Sequence, residues 1–182
     1  CRVLKVITST KKIRNEVKNI PHLELIESGI PIEVHHRLSY KRVTREEANK
    51  LVGYKLSGWV VLFCEPKGNP YLHQGKPFYR LKPDPEEFKG ADAPKYLTPK
   101  GAGCRPYFSP LGTEERFNTC KRLFITEGEK KSDALTHHGF PCIALSGVHS
   151  WKDKRNGESK PLPELEDFNW KNRQVYLVFD SD

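Results

Sequence analysis

Five segments at the end of the chain constrain its fold more than anything before them. "RLFITEG" reads as a buried strand running into a turn, "EKKSDALTHHG" as a helix closed by Gly139, and "PCIALSG" as a second strand. "LPELEDF" then reads as a short helix and "RQVYLVFDSD" as a third strand. Strand, helix, strand, helix, strand with short connections argues for a parallel sheet flanked by helices. In such a sheet the run from Val175 to Phe179 is expected to be a central strand, buried on both faces.

The preceding residues have a different character. "HLELIESGI" fits a short helix ended by Gly29. "TREEANKLVGY" carries a capping box, Thr44 with Glu47, and a helix ending near Gly53. "GWVVLFCEP" and "KPFYRLKPDP" read as antiparallel strands joined by a long hairpin through "PKGNP". Residues 83–119 are rich in Pro, Gly and Lys and are expected to be mostly loop. The pattern predicts a basic arm or linker over 1–20, a smaller α+β subdomain over 21–115 and a parallel α/β domain over 116–182. The chain starts at Cys1, contains no Met and stops just after a strand. It therefore reads as an internal fragment whose last domain is cut short.

A net charge of +8 favours a polyanionic partner, because Lys and Arg that neutralise phosphates release condensed counterions. No apolar run reaches membrane-spanning length and no secretory leader is visible, so no membrane role is expected. Five scattered cysteines without a C-x-x-C pair argue against structural zinc and for free thiols in the reducing cytoplasm.

Sites in parallel α/β sheets form at the carboxyl ends of the strands. Glu127-Gly128, Ser146-Gly147 and Asp180 with Asp182 all fall at such ends. Side chains at i and i+2 of an extended segment point the same way, so the two aspartates can meet one divalent cation. Three carboxylates at one edge suit Mg²⁺, or Mn²⁺ in its place. Such a metal neutralises phosphate and positions an attacking oxygen, while a glutamate beside it moves a proton. Taken alone, Glu127 reads better as an acid favouring a helix N-terminus, and Asp-x-Asp as an ordinary surface pattern. Their spacing across one sheet is what lifts them.

"LFITEGEKKSDAL" with "VYLVFDSD" resembles the Toprim domain of bacterial-type primases, topoisomerases and some nucleases. The resemblance implies that Glu127 is the catalytic acid or base and that Asp180 and Asp182 ligate Mg²⁺, with Gly128 and Gly147 shaping the site backbone. Upstream, "GWVVLFCEPKGNP", "FYRLKP" and "PKYLTPKGAGCRPYF" resemble the RNA polymerase domain of bacterial-type DNA primases. By that resemblance Arg80, Lys95, Lys100 and Arg105 contact template or nucleotide phosphates. E-G-E-K-K and F-D-S-D bring the chain still closer to an uncharacterised Toprim family associated with plasmid and phage replication. Thr98 stands where typical primases have Asn, and Glu129-Lys130-Lys131 replaces their aromatic and acidic residues.

Lys130 and Lys131 read equally as phosphate ligands and as an exposed helical face. The loop from His149 to Lys160 is basic, and Trp151 within it is the best base-stacking candidate of the three tryptophans. Three functions stay open. The first is a Mg²⁺-dependent primase acting on single-stranded DNA with nucleoside triphosphates, in company with a helicase. The second is a nuclease or strand-breaking enzyme using the same acids. The third is a non-catalytic nucleic-acid-binding module of a replication helicase.

Overall fold

The computed structural model describes residues 22–87, 94–153 and 159–180. The basic arm over 1–20 and Asp182, expected as a metal ligand, lie outside the described residues.

The first half is built on local signals. α1 (His22–Glu27) ends at Gly29, whose φ of 78° suits a residue without a Cβ. A 3-10 helix over Ile32–Arg37 leads into β1 (Tyr40–Val43). α2 (Arg45–Val52) opens with the expected box: the Thr44 hydroxyl accepts from Glu47 N–H, and the Glu47 carboxylate accepts from Thr44 N–H. β2 (Gly58–Leu62) pairs antiparallel with β1 on one side and with β5 (Tyr79–Pro83) on the other. The long hairpin between β2 and β5 holds a two-residue ladder, β3 (Leu72–His73) with β4 (Lys76–Pro77). Ala48 and Val52 of α2 pack on Val43, Val60 and Leu81 of this three-stranded sheet.

Gly58 is required by close approach. A Cβ there would lie 2.2 Å from the Lys82 carbonyl oxygen and 2.9 Å from Pro83 Cα, both fixed backbone atoms of the paired strand. Gly58→Ala is expected to lower stability by roughly 3 kcal/mol, the upper range for overpacking, read as a lowered urea midpoint.

The stretch over 83–119 is not all loop. β6 (Tyr107–Phe108) joins a second sheet, and α3 (Glu114–Thr119) is a helix capped by the Thr113 hydroxyl. Its anchor is the single buried Phe117, and one apolar residue in six carries no helical period.

The second sheet is mixed, with strand order β11-β7-β8-β6. β7 (Arg122–Glu127) is parallel to β8 (Cys142–Leu145) and to β11 (Gln174–Val178), whereas β6 runs antiparallel to β8. The protein is thus a mixed α/β fold. Successive residues face opposite layers, as the pleat demands. Tyr107 and Ala144 belong to a core shared with Leu25, Tyr40, Trp59 and Phe78, while Phe108, Ile143 and Leu123 pack with Phe117 and Phe168. α4 (Glu129–His137) packs on β7 and β8. A minor hairpin, β9 (Lys152–Asp153) with β10 (Lys160–Pro161), and α5 (Pro163–Glu166) lead to β11.

One expectation is corrected here. Among the described residues β11 is an edge strand and not the central, doubly buried strand. β7 and β8 are the interior strands, and β11 is hydrogen-bonded to β7 alone. Val175, Tyr176, Leu177 and Val178 are all exposed, Leu177 at 66%.

Asp133, on the inner face of α4, is fully buried. Its carboxyl accepts from Tyr40 Oη at 2.7 Å and Tyr107 Oη at 3.0 Å. Burial pushes it up to about 7, against hydrogen bonds from Ser109, Tyr40 and Tyr107 and with the Glu129 charge adding to the rise. A carboxyl with a raised folded value stabilises most when protonated. Its contribution is therefore complete below the unfolded value near 4 and is lost as pH rises to about 7. At about 1.4 kcal/mol per unit, the loss across that window is roughly 4 kcal/mol. Unfolding midpoints measured from pH 5 to pH 8 should fall in the native chain and stay flatter in Asp133→Asn.

Candidate functional site

β7 ends at Glu127, and the chain must turn at once into α4. Gly128 makes that turn with φ 85° and ψ 136°, its N–H donating to the Leu145 carbonyl of β8 at 2.9 Å. The parallel pairing of β11 with β7 sets Val178 against Thr126, so the residues after both strands emerge side by side. The Asp180 N–H accordingly donates to Glu127 Oε1 at 3.2 Å. Two of the three predicted carboxylates thus meet at the carboxyl edge of the sheet.

They open onto a cleft of about 620 Å³. Its wall includes Arg80, Lys95 and Tyr96 from the first half, Lys130 and Lys131 from α4, and Ser146 after β8. Lys131 Nζ donates to Asp180 Oδ1. That bond and the lysine charge hold the Asp180 carboxyl below its ordinary range.

Arg80 does not stand free for phosphate. Its guanidinium pairs with Glu129, donates to the Ser146 carbonyl at 3.3 Å and stacks on Tyr96 at 4.2 Å. Arg80 is 9% exposed and Glu129 3%. The pair joins β5 to the first residue of α4 and so acts as a buried brace behind the cleft. Burial first, then the Glu129 charge, pushes the Tyr96 hydroxyl up to about 12.

Two further predicted contacts lie elsewhere. Lys100 sits beside the β3–β4 turn, where its carbonyl meets His73 Nε2 at 3.2 Å. Arg105 is buried, with its Nε 3.1 Å from Glu164 Oε1, and serves the packing of α5. Gly147 follows Ser146 and accepts from Ser150 N–H at 2.9 Å. Of the predicted cations, Lys95, Lys130 and Lys131 line the cleft together with the braced Arg80. Trp59 is core, whereas Trp151 is exposed beside Lys152, 4.8 Å from its ring.

The sequence reading missed Glu129 and Glu24. Glu129 lies inside the quoted E-G-E-K-K run but pairs with a residue 49 positions away, which no local pattern reveals.

Among the described residues no cluster of three metal-ligating side chains occurs. Glu127 and Asp180 bring two carboxylates to the edge, and the second predicted ligand, Asp182, lies outside the described residues. The donors present are carboxylate oxygens, the hard ligands that Mg²⁺ and Mn²⁺ take. Their adjacency at an open cleft fits such a cation, with Lys131 already balancing the charge of one of them.

The fold and site together define a mixed α/β protein with an acidic strand edge in a cationic cleft. A family model described as a domain of unknown function, DUF3854, matches residues 118–182. The match begins in the last turns of α3 and takes in β7, α4, β8 and β11, the elements that carry Glu127 and Asp180. No curated protein and no solved structure matches the chain.

Proposed function

We propose that the chain is the catalytic part of a Toprim-type, Mg²⁺-dependent nucleotidyltransferase, a DNA primase of a plasmid or phage replication protein acting in the cytoplasm. One observation carries the reading: Glu127 and Asp180 meet at the ends of adjacent parallel strands, facing a cleft rimmed by Lys95, Lys130 and Lys131. A divalent cation held by Asp180 and Asp182, with Glu127 beside it, would supply charge neutralisation at the transferring phosphoryl group.

The side chains have distinct roles. Lys131, released from Asp180, and Lys95 orient phosphate oxygens in the cleft. Glu127 accepts the proton of the 3′-hydroxyl as its oxygen attacks the α-phosphorus of the incoming nucleotide and pyrophosphate leaves. The Arg80–Glu129 brace fixes the start of α4, and with it the position of Lys130 and Lys131. The template is single-stranded DNA, the substrates are nucleoside triphosphates, and a helicase is the natural companion.

The test is to incubate the full-length protein with Mg²⁺ and single-stranded DNA, with and without nucleoside triphosphates. New oligonucleotides formed only with triphosphates support the primase. Shortened DNA without them would replace it by the nuclease reading. Binding that survives chelation, with neither product, would leave a non-catalytic binding module.

A further inference from the structure

Glu24, on α1, occupies an unusual place. Its Oε2 accepts from Lys82 Nζ and from Lys130 Nζ, both at 2.6 Å, and its Oε1 accepts from Lys82 Nζ at 2.5 Å. Two ammonium groups therefore converge on one oxygen. Like charges held so close repel unless an anion lies between them. Burial raises the Glu24 carboxyl, but the bonds from Lys130 and Lys82 outweigh it and the net shift is downward.

Lys82 is held from behind. Lys82 lies on β5 two residues from Arg80, hence on the same side of the strand. Trp59 is its register partner on β2, and the Lys82 ammonium stands 5.2 Å from that ring. Lys130 belongs to the first turn of α4 and lines the cleft, as does Ser28, whose hydroxyl donates to the Glu24 carbonyl at 2.7 Å. Glu24 itself is partly exposed, at 38% for its side chain. A rotamer change can carry its carboxylate into water, leaving the two lysines to another anion.

We infer that Lys82 and Lys130 form a phosphate-binding subsite at the edge of the cleft, and that Glu24 fills it as a competing carboxylate in the free protein. The ligand chemistry is a phosphoryl group with two or more free oxygens, brought by a single-stranded nucleic-acid backbone or by a nucleoside triphosphate. Glu24 then sets a threshold: a ligand must displace a preformed anion, which weakens casual binding. The inference rests on the proposed function only in that a phosphate enters this cleft, and metal-free binding tests it without turnover.

Fluorescence anisotropy with a labelled oligothymidylate, and calorimetry with ATP, both in EDTA, separate the two sources. Glu24→Gln is expected to tighten one of these ligands about fivefold to tenfold. If that ligand is the strand, the dependence of log Kd on log salt steepens by about 0.7, one further phosphate on a single strand. Lys82→Ala added to Glu24→Gln should erase the gain. Glu27→Gln, on the exposed side of α1, makes the same change in net charge and should leave both affinities unchanged.

Unchanged affinity for both ligands in a Glu24→Gln chain with native melting behaviour would overturn the inference, leaving Glu24 as a clamp for α1. So would an equal gain in Glu27→Gln. Should Glu24→Gln not fold, Glu24→Asp keeps the charge but cannot span both lysines, and it must show the same direction of change. Tighter binding without any primer synthesis would leave the subsite standing and remove the primase reading.

Discussion

Asp180→Asn is expected to lower Mg²⁺-dependent phosphodiester formation by about 10³-fold or more, the scale of losing a group that touches the reacting centre. Glu127→Gln should fall with it, and the double variant should lose little beyond either single one. The expected non-additivity follows from geometry. Both side chains line the same cleft, and the Asp180 N–H sits on Glu127 Oε1. Stability should hardly change, because Asp180 is exposed and its ion pair is with the half-exposed Lys131. Loss of product with an unaltered melting curve is the signature. Equal rates for wild type and Asp180→Asn would show that the strand edge does no chemistry.

Arg80→Ala is expected to act in the opposite way, on stability first. It would leave the buried Glu129 carboxylate without its partner, at a cost of about 3–5 kcal/mol. A double change to Arg80→Leu with Glu129→Leu should recover most of that, since an apolar pair needs no desolvated charge. Urea unfolding of the three chains measures it. If Arg80→Ala were as stable as wild type but weak in nucleic-acid binding, the brace would be wrong and the phosphate contact expected from the sequence would be right.

Several elements were legible because their signals are local. Thr44 and Glu47 lie three residues apart, and Gly29, Gly53 and Gly139 each end a helix with positive φ. β7, α4 and β8 announce themselves by long apolar or helical patterns, and the turn through Glu127-Gly128 by their junction. The place of β11 was not legible. An apolar run does not reveal its neighbours in a sheet, and among the described residues β11 pairs with β7 alone. α3 was hidden because only Phe117 anchors it within a Pro- and Gly-rich stretch.

The candidate site divides along the same line. Strand ends place Glu127 and Asp180, and strand ends are visible in sequence. The roles of the cations depend on partners far along the chain. Arg80 is taken up by a residue 49 positions on, and Lys130 by one 106 positions back. Such pairs leave no periodic trace, so an arginine that packs as a brace looks in sequence like one that holds phosphate.

The central claim is that the strand edge, with Asp180 as a ligand and Glu127 beside it, holds one divalent cation. The most direct measurement is Mn²⁺ binding to the full-length protein, followed by electron paramagnetic resonance of the free ion. One Mn²⁺ bound per chain, displaced by Mg²⁺ and weakened at least tenfold in both Glu127→Gln and Asp180→Asn, is the expected result. Binding that is absent from the wild-type chain, or unchanged in both variants, would contradict it.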